Sequence, residues 1–351
     1  MTNSTKTIRV NEPSELLALI PYQLGFIPTD SLVVMSLREP RGRVGLIARI
    51  DLASAEGSAA SLAGHLASDG AARAAIVTYT DDRAAARAAT AALTDALVEF
   101  GIVEAGNWTV TSTGYRSLEC EDLTCCPEAG RPMSDLDSTQ VAATLTYAGS
   151  SVLPTRADLG VQPAAEAERL AATEAAIAWR CTYAPGEPEA RAAGLADWQD
   201  VAAMTGPVPA ARLGTIAAVL TDKRTRDAIL VGLIPDTPAD LPARSLTGEG
   251  EDGLSQAMRK ITSTTTGVRP GDVADQAVSL LGDVAAHAAN SSRAAAPLSL
   301  LALIAWWAGD GARAGVLVDQ ATTADPDYRL AALVDQMITA GFPPGWVRRT
   351  A

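Results

Sequence analysis

Hydrophobic periodicity changes once along this chain, and that change constrains the fold more than any other feature. Up to about residue 115, apolar or alternating runs take turns with runs of helical spacing; after Ser138 only the helical spacing persists. Leu32-Val-Val-Met-Ser-Leu37, opened by Asp30-Ser31, is a continuous apolar run suited to a strand buried on both faces. Glu39-Pro-Arg-Gly42 is turn chemistry, and Val44, Leu46, Ala48 and Ile50 then alternate along a second strand, so the two read as a hairpin. Ile8 to Val10 reads as a short strand upstream. Pro13 suits the first turn of a helix whose face is Leu16, Leu17, Ile20 and Leu24; Pro21 is expected to kink or end it, and Gly25 to stop it. A helix over about 56–69 and a strand from Ala74 to Tyr79 follow. Asp81 is expected to cap a long helix that buries Ala85, Ala88, Ala92, Leu93, Ala96 and Phe100 and stops at Gly101. A strand from Asn107 to Ser112 completes an open, mixed sheet with layered helices, an α/β arrangement.

The remainder reads as all-α. Helical spacing covers about 138–149, 164–181, 188–204, 210–233, 254–264, 271–289, 297–308, 312–324 and 327–340. Alanine dominates and aromatic residues make up only 4%, a composition that favours closely packed helices. Pro235 to Gly253 is rich in proline, glycine and acid and reads as a linker. The plan is therefore an α/β domain over 1–150, carrying a cysteine-rich loop at 115–132, and a helical domain over 151–351, with the boundary near 150–165. In the tail, Trp306-Trp307-Ala-Gly309-Asp310 is followed by Ala314, Val318, Ala321 and Asp325-Pro326. Small residues at that spacing predict two antiparallel helices in a tetratricopeptide-like hairpin, with no clear second copy.

Charge excludes some partners. The formal net charge is −13, and acidic residues outnumber basic ones in both halves, whereas a phosphate-tracking groove needs a positive field. Lys223, Arg224 and Arg226 form the one basic knot, but Asp222 and Asp227 bracket it, so a solvated helix face is expected rather than a nucleic-acid site. The start, Met-Thr-Asn-Ser-Thr-Lys-Thr, has no apolar export segment, and the most apolar run, Pro297 to Ala308, is too short to cross a bilayer. A cytoplasmic protein without a membrane partner is expected, and that reducing compartment does not favour a permanent disulfide.

Familiar catalytic patterns fail on inspection. Gly248-Glu-Gly250-Glu-Asp-Gly253 fits G-x-G-x-x-G, but no strand precedes it and its acids would repel a pyrophosphate. Gly309-Asp-Gly311 fits an inter-helix turn better. None of Lys6, Lys223 and Lys260 follows a glycine, so there is no Walker loop. His65 and His287 are the only histidines, and each reads as a helix-face residue.

What remains is the segment Cys120-Glu-Asp-Leu-Thr-Cys125-Cys126-Pro127, framed by Tyr115, Arg116 and Gly130-Arg-Pro132. Four readings stay open. A nucleophilic thiolate needs positive charge, yet Glu119, Glu121, Asp122 and Glu128 crowd these thiols. Structural zinc is compatible with Cys120-x₄-Cys125, although adjacent Cys125 and Cys126 strain tetrahedral ligation and a fourth ligand, Cys181 or Asp122, is unassigned. A disulfide from Cys120 to Cys125 or Cys126 closes a small ring and suits a switch better than a staple. Free structural thiols are the last reading. Cys181 itself reads as a small buried hydrophobe. If the strand before this loop runs parallel to its neighbour, the loop lies at the carboxyl edge of the sheet, where open α/β sheets bind ligands.

The order of landmarks resembles an actinobacterial family known as a domain of unknown function, DUF4192. The matching stretches run from Pro13-Ser-Glu-Leu-Leu to Pro21-Tyr-Gln-Leu-Gly25-Phe, with Asp30-Ser31-Leu-Val-Val and the cysteine loop ending in Cys125-Cys126-Pro127. Arg226-Asp227-Ala228 and the tail from Ala305-Trp306 to Gly341-Phe-Pro343-Pro344 also match. The resemblance implies an intracellular protein and brings no catalytic residue or cofactor with it. The residues favour a non-catalytic protein that binds a small ligand or a protein partner, through a cleft near Asp30, Tyr115, Arg116 and Asp122. The alternatives are a small-molecule enzyme whose acids and arginines meet there, such as Asp30, Asp122 and Arg116, and a thiol redox sensor. A flat surface beside the loop would favour a binding or regulatory protein, and an apolar pocket with convergent polar groups an enzyme.

Overall fold

A computed structural model describes residues 10, 12–40 and 42–349. The strand expected at Ile8 to Val10 rests on residues outside that set, and Val10 itself is in no strand. The chain divides into two compact units, one through Arg156 and one from Ala157.

The first unit runs α1 (Pro13–Leu24), β1 (Ser31–Arg38), β2 (Arg43–Asp51), α2 (Ala55–Ser68), β3 (Ala71–Tyr79), α3 (Arg83–Glu99), β4 (Val103–Val110), β5 (Tyr115–Ser117), α4 (Ser134–Asp137) and α5 (Gln140–Tyr147). Its sheet has the order β2-β1-β3-β4-β5. Only β3 and β4 are parallel, joined through α3; the other neighbours are antiparallel. Leu32, Val34, Ala74 and Ile76 bury one sheet face against Leu62 and Leu66 of α2 and Leu93 and Leu97 of α3. Val33, Met35, Ala75 and Val77 on the opposite face are equally inaccessible, which is why β1 reads as an unbroken apolar run.

Two local expectations need correction. Pro21 does not end α1, which continues to Leu24 and stops at Gly25, φ 79°, whose N–H donates to the Pro21 carbonyl. A proline deletes one amide donor, and the buried face of Leu17, Ile20 and Leu24 holds the helix through that gap. The cap of α3 is Asp82, which accepts from the N–H groups of Ala84 (2.8 Å) and Ala85 (3.0 Å). Asp81 instead accepts from the N–H and hydroxyl of Ser112, at 2.8 and 3.0 Å. α3 accordingly buries Ala86, Ala89, Thr90, Leu93, Ala96 and Leu97, while Ala88 and Phe100 are exposed.

The second unit is helical: α6 (Glu166–Thr182), α7 (Pro188–Ala202), α8 (Ala210–Val219), α9 (Lys223–Gly232), α10 (Leu241–Thr247), α11 (Glu251–Thr262), α12 (Asp272–His287), α13 (Ala295–Ala308), α14 (Gly311–Ala324), α15 (Arg329–Thr339) and α16 (Gly345–Arg349). The single helix expected over 210–233 is two, because Asp222 caps α9 by accepting from the Thr225 N–H at 3.0 Å. The expected linker over 235–253 contains α10, whose Leu241 and Leu246 are buried. Arg226 is not on a solvated face. Its guanidinium is buried, with Nε 2.9 Å from Asp227 Oδ1 and Nη1 3.0 Å from the Tyr328 hydroxyl. Cys181 is exposed, because α6 buries Ala172 and Ala176 and Cys181 falls off that face.

α13 is buried at every position from Ala295 to Trp307 and packs on α12, α14 and α15. Its indoles keep their donors satisfied: Trp306 Nε1 donates to the Phe342 carbonyl (2.8 Å) and Trp307 Nε1 to the Val268 carbonyl (2.7 Å). Among the described residues, no helix is long and apolar enough to cross a membrane. Gly309, φ 92°, ends α13, and Asp310 caps α14 by accepting from the Arg313 N–H at 2.9 Å. Burial raises the Asp310 carboxyl above its ordinary value, outweighing the Arg313 N–H that lowers it. A raised folded value means that ionisation costs stability as pH climbs past about 4, the unfolded value. Asp310→Asn keeps an acceptor and sheds that cost. It should match or exceed the parent by up to about 1 kcal/mol at pH 7, an advantage that disappears below about pH 4, whereas Asp310→Ala should lose about 1 kcal/mol of capping. Urea midpoints at the two pH values check this.

Candidate functional site

The polar end of the first sheet begins with a bulge. β3 and β4 pair Ala74 with Glu104 and Ala75 with Gly106, so Ala105 is an extra residue, and pairing then resumes with Ile76 and Asn107. Without the bulge, Glu104 and Asn107 would point to opposite faces. With it, both side chains join the α3 face, where Asn107 Nδ2 donates to Glu104 Oε1 (2.6 Å) and to Glu119 Oε1 (3.0 Å). Two carboxylates thus fix the amide orientation and turn Oδ1 away from them. Glu104 Oε2 also accepts from the Thr94 hydroxyl of α3, at 2.5 Å. β5 runs back beside β4 and pairs Arg116 with Thr109, adding both to the same face.

Thr94, Asn107, Arg116 and Glu119 of this group wall an open cleft of about 830 Å³. α3 contributes Arg83, Arg87, Thr90 and Thr94, spaced three or four apart on one helical face. Asn107 and Arg116 contribute the sheet side, and Glu119, Cys120, Glu121 and Glu128 the loop side. Asn107, Thr90 and Arg116 are only 3%, 8% and 9% exposed. Each nevertheless carries a polar atom with no hydrogen-bond partner: Asn107 Oδ1, Thr90 Oγ1 and Arg116 Nε. Thr109 Oγ1, beside Arg116 in the register, is a fourth. An unmade buried hydrogen bond costs about 1–3 kcal/mol, and folded proteins contain few. Among the described residues seven such atoms occur, and more than half of them sit in this one patch. Arg116 Nη1 reaches only the Glu128 carbonyl, at 3.3 Å, and no carboxylate pairs with Arg83, Arg87 or Arg116 among the described residues. The cleft can therefore offer guanidinium donors to an anion and an amide oxygen to a donor.

The cysteine loop forms the other wall. It leaves β5, not β4. Although β4 is parallel to β3, β5 carries the chain back from the carboxyl edge, so the loop starts beside mid-β4, where the Leu118 N–H donates to the Asn107 carbonyl. The expected carboxyl-edge position is thereby corrected. The loop closes on itself: the N–H of Tyr115 donates to the Arg131 carbonyl (2.9 Å) and the N–H of Arg131 to the Tyr115 carbonyl (2.8 Å). Inside, the Asp122 carbonyl accepts from the N–H groups of Cys125 (3.1 Å) and Cys126 (2.7 Å). The Thr124 N–H donates to Asp122 Oδ1 and holds that carboxyl below its ordinary value. The turn gathers the sulfurs of Cys120, Cys125 and Cys126 within 4.8 Å of one another, a set that could hold a metal ion. Cys126 is buried and Cys125 exposed.

Of the residues singled out from the sequence, Arg116 lines the cleft and Asp122 shapes the loop turn. Tyr115 is buried and clasped to Arg131 through the backbone, and Asp30 is exposed at the head of β1, φ 42°, with its carbonyl accepting from the Leu52 N–H. Ser31 pairs with Tyr79, and Tyr79 with Val110, so Asp30 lies at the carboxyl ends of β3 and β4 and does not line the cleft. Arg83, Arg87, Thr90 and Asn107 escaped the sequence reading. Their one signal was polar spacing along α3 and polar positions inside a strand. No curated protein and no solved structure matches the chain. Residues 13–244 and 257–345 match the family described as Domain of unknown function (DUF4192), and the chain belongs to that family.

Proposed function

We propose that this chain is a binding protein for a small polar molecule that carries an anionic group and a hydrogen-bond donor, seated between α3 and the cysteine loop. The observation that carries this reading is the group of three buried, unpartnered polar atoms on the cleft-lining residues Thr90, Asn107 and Arg116. A carboxylate or phosphate oxygen answers Arg116 Nε, an N–H or O–H answers Asn107 Oδ1, and the Thr90 hydroxyl serves either role. The cleft volume suits a metabolite, and a concave wall favours a small molecule over a flat protein interface. Acidic residues on the loop side, Glu119, Glu121 and Glu128, argue against a nucleic-acid strand. The walls hold no histidine, lysine, serine or tyrosine, and the groups beside Cys120 are the carboxylates Glu119 and Glu121, whose charge disfavours a thiolate; this supports binding over thiol catalysis. In the second unit we read α13 and α14 as one tetratricopeptide-like hairpin used for packing, supported by the burial of Ala314, Val318 and Ala321.

Titration calorimetry with inorganic phosphate, glycerol 3-phosphate, malate and citrate tests the cleft. At least one should bind, and Arg116→Ala should weaken it by about 10–100-fold, as expected for a charge-assisted hydrogen bond of about 1.5–3 kcal/mol. Equal affinity in the variant would overturn the assignment of Arg116.

A further inference from the structure

We propose that Cys120, Cys125 and Cys126 form a three-thiolate site for a thiophilic d10 cation, with zinc as the probe, on the loop wall of the cleft. The inference is independent of which molecule occupies the cleft. Three sulfurs bound to one zinc at about 2.3 Å stand about 3.8 Å apart in tetrahedral geometry. Here all three lie within 4.8 Å of one another, and Cys125 and Cys126 are already 4.0 Å apart. Closing the remaining gap needs side-chain rotation, not a new backbone.

The backbone that gathers them is fixed from two directions. Within the loop, the Asp122 carbonyl receives two N–H groups and folds the chain so that Cys125 and Cys126 return over Cys120. At its ends, the Tyr115–Arg131 pair of hydrogen bonds closes the loop. Adjacent cysteines on an extended chain are poorly placed to serve one ion; this turn brings their sulfurs to 4.0 Å and both within 4.8 Å of Cys120 Sγ. A disulfide would use two of the sulfurs and leave the third beside the bond. Three sulfurs all within 4.8 Å of one another are the arrangement a metal requires.

Charge and access also fit. Each thiol that binds releases its proton to solvent, and three thiolates with a dication leave one negative charge. Arg131 stands against it: Nη2 lies 3.7 Å from Cys125 Sγ, and Nε donates to the Cys125 carbonyl at 2.8 Å. An N–H donor to a bound thiolate is the usual second layer of a thiolate site. Buried Cys126 provides an anchor and exposed Cys125 an entry path. Among the described residues no carboxylate or histidine joins the cluster, so the fourth tetrahedral position is open to solvent or to a small ligand.

The test uses the full chain, stripped of metal by a chelator under reductant and titrated with cobalt(II), then with zinc. One cobalt per chain should bind, with a sulfur-to-cobalt charge-transfer band in the near ultraviolet that zinc abolishes. Cys125→Ser and Cys120→Ser should each lower zinc affinity by more than about 100-fold, since loss of a mere supporting partner costs 10–100-fold. Cys181→Ser should leave the affinity unchanged. Cys125 is exposed, so its variant keeps the fold even if Cys126→Ser does not. Absence of the band, or zinc affinity in Cys125→Ser equal to that of the parent, overturns the proposal. So does a native intact mass lighter by two hydrogens with Cys120 joined to Cys125 or Cys126, which identifies a disulfide instead.

Discussion

Gly214→Ala should lower the stability of the helical unit by about 2–3 kcal/mol, even though alanine is the better helix former by about 1 kcal/mol. Gly214 lies within α8, which packs on α6. A Cβ there would stand 1.9 Å from the Ala172 carbonyl oxygen and 2.5 Å from its Cα. The obstacle is backbone, so no rotamer change relieves it, and α6 must move away. α6 buries only Ala172 and Ala176, which means that its attachment depends on this close approach rather than on large side chains. Gly282 in α12 provides the opposite case: nothing lies within 4 Å of its added Cβ, so Gly282→Ala should gain about 0.5–1 kcal/mol. Urea unfolding followed by tryptophan fluorescence reads both, because Trp179, Trp198, Trp306, Trp307 and Trp346 all lie in this unit. If both substitutions shift the midpoint the same way, the contact is not what holds α6.

Helix and strand identity was largely legible because periodicity reports burial directly. The β1–β2 hairpin, α2, β3 and the succession of helices in the second unit follow from it. What periodicity could not supply was phase. Moving the α3 cap from Asp81 to Asp82 is one residue, yet one residue is about 100° around a helix, enough to expose Phe100 and bury Leu97. Asp81 and Asp82 both suit a cap, and only the bond from Ser112 to Asp81, from 31 residues away, decides between them. β5 was invisible for a related reason. Three residues have no period, and its partners are Trp108–Val110 on one side and the Arg131 backbone on the other. Missing it put the cysteine loop at the wrong edge.

The cleft was half legible. Arg116 stood out because it borders the cysteines, while Asn107 looked like a polar residue in a strand. Its role depends on the Ala105 bulge, which turns Glu104 and Asn107 to one face, and a bulge leaves no composition signal without a partner strand to count against. Arg226 misled for the opposite reason. A basic residue amid charged neighbours reads as solvated, whereas Tyr328, 102 residues on, gives it a buried partner. Burial pushes that guanidinium down, but Tyr328 and Asp227 outweigh it and the net shift is upward.

Gly114→Ala should unfasten the cysteine loop while leaving the sheet standing. The added Cβ would stand 2.3 Å from the Arg131 carbonyl oxygen and 3.2 Å from that of Ala129. The Arg131 oxygen is the one that accepts from the Tyr115 N–H, so the clash falls on the clasp itself. Its other side is equally tight: Gly130, φ 81°, would place a Cβ 3.0 Å from the Tyr115 nitrogen. The strain falls at the β5 edge of the sheet, and the pairings among β1 to β4 lie away from it. A local cost of about 2 kcal/mol raises the open fraction of the loop about 30-fold. Buried Cys126 reports it. In chelator-treated parent protein, a thiol reagent should modify exposed Cys125 quickly and Cys126 slowly; in Gly114→Ala the Cys126 rate should rise by about that factor. Gly57→Ala, in α2 with nothing within 4 Å of its Cβ, should leave the rate unchanged. Because the same clasp gathers the three sulfurs and aligns the loop wall of the cleft, metal and small-molecule affinity should fall together in Gly114→Ala. An unchanged Cys126 rate would show that the turn at Asp122 alone holds the loop, and would locate the organising contact there.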